Sequence, residues 1–316
     1  MTKTNRKKPK ITTFKLNRDF NKVLDKIIAS GISLEVGLGK YSCHIITKND
    51  KAKYKFITNM QSKKTFIGYA KILSDLKREE ISVLISDMED NVSEKNNVYF
   101  EMGRYETKQY DNAVCVDLNS AYLQAMYNLS LIRPETKAWI ETNLSKKERL
   151  VAVGMLAKQK EILEFSKGKI TVDHKEVSKH RFIFNAIIQE VSRVMHQVQS
   201  HFMEDFIAYW VDGIYLKNEW IAIDVKLMFE AAGFPCKIEY LTDFKSEFKF
   251  TYMDYSYYKD GEYKILNIPV KEVQESMRRN LVASINSKRI EQRLDAIDTS
   301  RYVEKSKYYS QADLFD

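Results

Sequence analysis

The sequence predicts an α+β fold, because its hydrophobic pattern changes repeatedly between a strand period and a helix period. Short runs rich in β-branched and aromatic residues, such as 113–116 and 206–217, stand between stretches with helical spacing, such as 179–201. The 316 residues include only 4 Pro and 10 Gly, which predicts few long loops. A chain of this length forms one large domain or two of medium size.

The composition favours a polyanionic partner and a reducing compartment. The formal net charge is +8, although many basic soluble proteins have no such partner. Three cysteines lack metal-ligand spacing, which predicts buried or free thiols: Cys43, Cys115 and Cys236. No apolar run approaches a membrane span and no secretory signal is visible, so we expect a cytoplasmic protein with no membrane partner.

The hydrophobic pattern of residues 1–105 predicts a small α/β domain of unknown role. Its segments are a short strand and helix over 14–30, three strands over 32–60, a helix over 64–78 and a strand over 81–85. The helix at 14–30 ends at Gly31, a residue that commonly follows a helix.

The first candidate site residue is Asp117. An apolar run over 113–116 ends on this carboxylate, and the pattern then becomes helical. An acid at the carboxyl end of a strand is well placed for metal and phosphate chemistry. An ordinary strand-to-helix corner with Asp117 as the helix N-cap remains the alternative.

The second candidate is Asp212. The sequence 206–217 is almost wholly apolar except for Asp212-Gly213, and Asp-Gly between two strand-like runs predicts a hairpin. A carboxylate held among apolar side chains is unfavourable unless it is paired or binds a cation. A plain hairpin turn is the simpler reading of the same pattern.

The first of these segments resembles a motif of the palm of family B DNA polymerases, D-x-x-S-L-Y-P. Asp117, Ser120 and Tyr122 match that motif in register. Ala121 and Leu123 depart from its Leu and Pro.

The second segment is similar to the family's third motif, Y-x-D-T-D-S-I. Asp212, Gly213 and Ile214 align with its second Asp, its Ser and its Ile. Trp210 stands where the motif has its first Asp. The order and separation of the two segments fit the palm, and the resemblance extends over about 114–258.

The family's middle motif, K-x-x-x-N-S-x-Y-G, is matched only in its first half. Arg181-x-x-x-Asn185 has its spacing on the predicted helix 179–201, with Arg in place of Lys. Arg holds phosphate well through its forked donors. A second predicted helix, 144–165, carries a capping box from Ser145 to Glu148 and presents Lys158, for which a solvated face is the default interpretation.

The resemblance implies a palm-like antiparallel sheet with packed helices in 106–265, including a helical insert similar to polymerase fingers. It implies DNA-templated nucleotidyl transfer on a DNA primer-template. The implied metal ligands for two Mg²⁺ ions, or Mn²⁺, are Asp117, Asp212 and the carbonyl of Leu118. The implied dNTP-binding residues are Ser120, Tyr122, which would select deoxyribose, Lys158, Arg181 and Asn185.

After the Asp212 hairpin, the pattern predicts strands over 236–241, 244–258 and 262–268. Asp260-Gly261 between the last two predicts a second hairpin turn.

The last part of the sequence also points to DNA replication. A basic helical stretch within 266–300 is either a reduced thumb on the duplex or a surface helix. In the tail 301–316, Gln311-x-x-Leu314-Phe315 resembles the peptide by which bacterial replication proteins dock on the sliding clamp. Leu and Phe would anchor in an apolar cleft while the Gln fixes the register.

Two alternatives remain open. A palm-like DNA-binding replisome subunit without catalysis would explain the missing acid at Trp210 and the eroded middle motif. A two-metal nuclease would also use strand-borne carboxylates, but it needs a further acid. Asp87-x-Glu89 is reminiscent of a proofreading exonuclease motif, yet an acidic loop explains it and we expect no proofreading. A bacterial, phage or mobile-element replication enzyme fits these features.

Overall fold

The computed structural model describes residues 11–38, 42–48, 52–57, 63–103, 107–166, 169–249 and 252–291. The fold is α+β, as predicted. The strands are β1 (Ile11–Lys15), β2 (Leu34–Leu38), β3 (Ser42–Thr47), β4 (Lys53–Ile57), β5 (Phe100–Met102), β6 (Lys108–Leu118), β7 (Gln159–Ser166), β8 (Lys169–Val177), β9 (Phe206–Trp210), β10 (Gly213–Leu216), β11 (Cys236–Lys249), β12 (Tyr252–Lys259) and β13 (Glu262–Ile268). The helices are α1 (Leu16–Ala29), α2 (Lys63–Asp75), α3 (Ser82–Asn91), α4 (Ala121–Asn128), α5 (Pro134–Asn143), α6 (Lys146–Gly154), α7 (Arg181–His201), α8 (Ala222–Ala231) and α9 (Val270–Glu291). None of the helices in these ranges is long and apolar enough to cross a membrane.

The chain folds into two compact units that are each built from separate stretches of sequence. The described residues within 1–97 and 122–189 form the first unit, and those within 98–121 and 190–316 form the second. The division differs from the predicted contiguous segments 1–105, 106–265 and 266–300. The reason is that β7 pairs with β2, so a hairpin from the middle of the chain completes the N-terminal sheet.

The sheet of the first unit has the strand order β1-β4-β3-β2-β7-β8. All of its pairings are antiparallel except that of β1 with β4. Alternate residues of β2 and β3 form a core that packs against α1, and its fully or nearly fully buried members are Leu34, Val36, Cys43 and Ile45. The three strands predicted over 32–60 are thus confirmed for the residues that the structure describes.

The strand predicted over 81–85 is wrong. The residues from Glu79 to Ile81 form a single 3₁₀ turn, and α3 follows it directly. The buried residues are Ile81 and Met88, while Val83 between them is 80% exposed. This is helical spacing rather than the alternation of a strand, so Asp87-x-Glu89 lies on a helix and not after a strand.

The helix predicted over 144–165 is also too long. Its beginning is confirmed, because the Ser145 hydroxyl accepts the backbone N–H of Glu148 while the Glu148 carboxylate accepts the N–H of Ser145 at 2.9 Å. The helix ends at Gly154, and a 3₁₀ turn leads into β7. Pairing of β7 with both β2 and β8 outweighs the helix propensity of this segment, and Lys158 therefore lies in the turn before β7.

The second unit is built on a sheet with the strand order β13-β12-β11-β6-β10-β9-β5. All six neighbour pairings in this sheet are antiparallel, and β6 lies at its centre. One face carries a buried core rich in aromatic rings, in which Tyr215 stacks on Tyr255 with centroids 6.2 Å apart. The predicted Asp260-Gly261 hairpin turn is confirmed, since both residues have positive φ.

One predicted element of the second unit differs from the structure, and another is confirmed over its described residues. The strands predicted to separate near Thr242 form one continuous strand, β11, which passes through Asp243 with φ of 49°. The predicted basic helix is confirmed as α9 up to Glu291, and the remainder lies outside the described residues. Arg279 of α9 contacts the buried carboxylate of Glu101 on β5, so this arginine anchors the helix to its own unit.

Candidate active site

The two candidate carboxylates come from neighbouring strands of the second unit. Asp117 is the last residue but one of β6, and Asp212 lies in the two-residue turn between β9 and β10. The register pairs Gly213 with Asp117, and the backbone N–H of Leu118 donates to the carbonyl oxygen of Asp212 at 2.8 Å. The structure therefore brings the two sequence motifs together at one end of the β6–β10 pair.

The turn that carries Asp212 has an unusual backbone. Val211 has φ of 58°, a conformation that is rare for a β-branched residue. The N–H of Asp212 donates to the carbonyl of Trp210 at 2.8 Å, and the N–H of Val211 donates to the carbonyl of Tyr99 at 2.7 Å. Two-residue hairpin turns favour positive φ, so the strain at Val211 belongs to the chain reversal that presents Asp212.

One row of cross-strand partners runs through the site. The successive partners across five strands are Phe100, Trp210, Gly213, Asp117 and Lys237. Directly opposed residues of neighbouring strands lie on the same face of the sheet, so the side chains in this row share one face. Trp210 packs edge-to-face on Phe100, with ring centroids 6.1 Å apart. The position where the polymerase motif has its first Asp is thus filled by an aromatic ring that joins the core.

Gly213 brings the backbone of β10 close to Asp117. A Cβ atom at this position would be in van der Waals contact with Oδ1 of Asp117 at 3.5 Å and would crowd the Sγ of Cys115 at 3.2 Å. The carboxylate of Asp117 is mostly shielded, with 19% of its side chain exposed. The lack of a side chain at residue 213 therefore keeps this part of the site from being overpacked.

A lysine approaches the other oxygen of Asp117. Nζ of Lys237 lies 3.3 Å from Oδ2 of Asp117 and also contacts the carboxylate of Glu239, two residues along the same strand. Glu239 forms a second ion pair with Lys259 of β12, whose Nζ lies 2.6 Å from the carboxylate. The site is therefore a network of two carboxylates and two ammonium groups beside the Asp212 turn.

The network changes the proton affinities of its members. The hydrogen bond to Glu239 raises the pKa of Lys237, so the ammonium stays charged. Burial alone would raise the pKa of Glu239, but the hydrogen bonds from Lys237 and Lys259 outweigh burial and hold the pKa of Glu239 below its usual range. Burial raises the pKa of the neighbouring Cys115 thiol well above its usual value, and this cysteine remains a neutral thiol rather than an anionic ligand.

The other residues assigned to the site divide between the two units. Ser120 belongs to the second unit and lies in the turn after β6, where its φ is 53°. Tyr122, Lys158, Arg181 and Asn185 belong to the first unit.

Contacts within the first unit already engage these residues. The ring of Tyr122 packs edge-to-face on Phe184 at 5.9 Å. Arg181 donates to Glu94 at 2.5 Å. Asn185 is buried and accepts a hydrogen bond from Asn97 at 3.1 Å.

The donor chemistry at Asp117 and Asp212 fits Mg²⁺. Mg²⁺ prefers oxygen ligands and is commonly bound by one or two carboxylates together with substrate phosphates and water. In the part of the chain that the structure describes, no group of three His, Cys, Asp or Glu side chains could hold a metal ion. Two carboxylates with the carbonyl of Leu118 are the ligands that the sequence predicts for such an ion.

None of the sequence motifs includes Lys237, Glu239 or Lys259. The i, i+2 spacing of Lys237 and Glu239 in a strand places both on one face, which was a usable signal. The pairing of β11 with β6 is a long-range contact, however, and sequence spacing does not reveal it.

No known family model, curated protein or solved structure matches the chain.

Proposed function

We propose that the chain is a DNA-templated DNA polymerase without a proofreading exonuclease, tethered to a bacterial-type sliding clamp. The observation that carries this proposal is the pairing of Gly213 with Asp117, which sets the Asp212 turn beside the end of β6. Two motifs that are distant in the sequence are neighbours in an antiparallel sheet. The resemblance to the polymerase palm requires that neighbourhood.

In this proposal Asp117 and Asp212 hold two Mg²⁺ ions, or Mn²⁺, with help from the carbonyl of Leu118. The bound ions supply Lewis-acid chemistry for the primer 3′-hydroxyl and the triphosphate. The chain fixes the two carboxylates through the strand register and the Leu118 hydrogen bond to Asp212. This arrangement needs no reorganisation of the sheet when substrate arrives.

The nucleotide-binding roles of the remaining residues belong to the same proposal. Arg181 and Lys158 neutralise the triphosphate, and Arg181 exchanges its Glu94 partner for phosphate when it does so. Tyr122 selects deoxyribose, and its packing on Phe184 supports a fixed ring position. Ser120 and Asn185 complete the nucleotide-binding set.

A DNA-binding replisome subunit without catalysis is the second candidate. Two observations favour it: Trp210 packs in the core where a polymerase has an acid, and Lys237 lies against Asp117. The nuclease alternative receives less support, because within the described ranges no third acidic, His or Cys ligand joins a pair of candidates.

One assay separates the three functions. The full chain is incubated with an end-labelled primer annealed to a longer template, dNTPs and Mg²⁺. Template-dependent lengthening of the primer supports the polymerase. Shortening of the primer supports the nuclease, and an unchanged primer with Mg²⁺ and with Mn²⁺ on both DNA and RNA templates leaves the non-catalytic subunit.

A further inference from the structure

The two oxygens of Asp117 have different surroundings. Oδ2 lies 3.3 Å from the ammonium of Lys237. Oδ1 lies on the side of Gly213, where an added Cβ would be in van der Waals contact at 3.5 Å. The carboxylate therefore already has a positive partner, and a cation that binds Asp117 has to compete with it.

Lys237 has an alternative partner within reach. It contacts Glu239 at the same time as Asp117, because residues two apart in β11 point to the same face. Glu239 is also held by Lys259 at 2.6 Å, so its position does not depend on Lys237. The side chain of Lys237 is 47% exposed, which leaves it room to turn from one carboxylate to the other.

We propose that Lys237 is a built-in counter-cation that competes with a divalent cation for Asp117 and moves onto Glu239 when the cation binds. The repulsion between an ammonium and a divalent ion on one carboxylate is strong at these distances. Lys237 therefore weakens cation binding by the free chain, and Glu239 with Lys259 provides the position that receives it. This inference rests on the proposed function only in taking Asp117 as a cation ligand.

Direct binding of Mn²⁺, measured from the loss of the free-ion electron paramagnetic resonance signal, tests the proposal without any polymerase assay. The Lys237→Met substitution removes the competing charge and is expected to tighten Mn²⁺ binding about tenfold. Lys237→Arg keeps the charge and is expected to bind as the wild type does. The matched control is Lys249→Met, because Lys249 lies on the same strand and is similarly exposed, but pairs with Glu247 and Asp254.

The outcomes separate this inference from the proposed function. If Asp117→Asn binds Mn²⁺ as tightly as the wild type, or if no form of the protein binds it, the cation site and the proposed function both fail. If Asp117 is required but Lys237→Met binds no tighter than the Lys249→Met control, only the competition by Lys237 is overturned.

Folding of each variant is checked by circular dichroism. Lys237→Gln serves as a second uncharged variant if Lys237→Met does not fold. Failure of both to fold would show that Lys237 holds β11 against β6, and it would overturn the role of a displaceable lysine.

Discussion

Asp117 shows how neighbours decide what a carboxylate can do. The ammonium of Lys237 lies 3.3 Å from one of its oxygens, and the pairing with Gly213 places the backbone of β10 beside it. A helix N-cap, the alternative suggested by the sequence, would use the same side chain only to satisfy backbone donors. Asp117 lies within β6 and α4 begins only at Ala121, so Asp117 is not the N-cap of that helix.

Substitution of Gly213 is expected to damage the site through crowding. In Gly213→Ala the new Cβ would lie 3.2 Å from the buried Sγ of Cys115, and we expect a loss of about 1–3 kcal/mol in the free energy of unfolding, as in other overpacked sites. Urea denaturation measures this loss. In Gly154→Ala, at the end of α6, the Cβ meets nothing within 4 Å, and a gain of about 0.5–1 kcal/mol is expected. Equal effects of the two substitutions would contradict the crowding.

The first unit contains a buried carboxylate with a different role. Asp75 is fully buried, and it accepts the backbone N–H of Arg133 at 2.9 Å and Nε of the same residue at 2.8 Å. Burial alone would raise the pKa of Asp75, but the hydrogen bonds from Arg133 and Thr136 and the charge of Arg133 outweigh it and lower the pKa. The interaction therefore ties α2 to the beginning of α5.

This lowered pKa predicts the pH dependence of stability. Because the pKa of Asp75 is lower in the folded than in the unfolded state, its contribution is complete above the unfolded-state pKa and is lost as the pH falls through the folded-state value. Asp75→Asn is expected to cost about 2 kcal/mol at pH 7, and the difference from wild type should shrink below about pH 4. Denaturant titrations at several pH values measure this difference in the free energy of unfolding between Asp75→Asn and the wild type. In Glu141→Gln, which breaks an exposed pair with Lys137, a change within about 0.5 kcal/mol is expected. A difference that persists unchanged at pH 2 would contradict the assignment.

At the scale of elements, local signals were predicted well and long-range competition was not. The capping box at Ser145, the 206–217 hairpin and the Asp260-Gly261 turn depend on residues a few positions apart, and the structure contains all three. The length of the 144–165 helix depended on whether β7 finds partners. Its pairing with β2 joins residues more than a hundred positions apart, and no local pattern encodes that choice.

The candidate site shows the same contrast between local signals and long-range pairing. Asp117 and Asp212 were visible because each interrupts an apolar strand pattern. Lys237 and Glu239 resemble the many other charged residues in the strands of this chain. Only the register of β11 against β6 distinguishes them.

Helix α9 offers a prediction at the same scale. Arg279 contacts the carboxylate of Glu101, whose side chain is only 2% exposed, and also donates to the carbonyl of Phe100 at 2.7 Å. Arg279→Met leaves Glu101 buried without its cation, and we expect a loss of about 3 kcal/mol in the free energy of unfolding. The neighbouring Arg278 pairs with Glu275 on the helix surface, so Arg278→Met should change stability by less than about 1 kcal/mol. Thermal or urea denaturation compares them, and similar losses would show that Arg279 is not the anchor of α9.

At the scale of the whole molecule, the net charge of +8 and the sequence of the tail concern partners rather than the fold. The residues Gln311, Leu314 and Phe315 lie outside the described residues, so their role stays a prediction from the sequence. Binding to a clamp would keep the chain on its template by raising its local concentration.

A tail variant tests this tethering. The double substitution Leu314→Ala with Phe315→Ala removes both apolar anchors, and binding to a purified bacterial sliding clamp is expected to weaken at least about tenfold. Calorimetry or surface binding measures the affinity, and short primer extension without a clamp should be unchanged. The control is Asp313→Ala, because Asp313 immediately precedes Leu314 and is not an anchor. Full clamp affinity in the double variant would refute the clamp-binding motif.

The central claim is that Asp117 and Asp212 form one catalytic site, and the rate of single-nucleotide incorporation tests it most directly. Asp117→Asn and Asp212→Asn are compared with Asp243→Asn, an exposed residue of β11 whose positive φ suits asparagine equally well. We expect each of the first two substitutions to lower the rate by at least about a thousandfold and to leave the fold intact, while Asp243→Asn keeps the wild-type rate. Template-directed incorporation that survives either Asp117→Asn or Asp212→Asn would contradict a shared catalytic site.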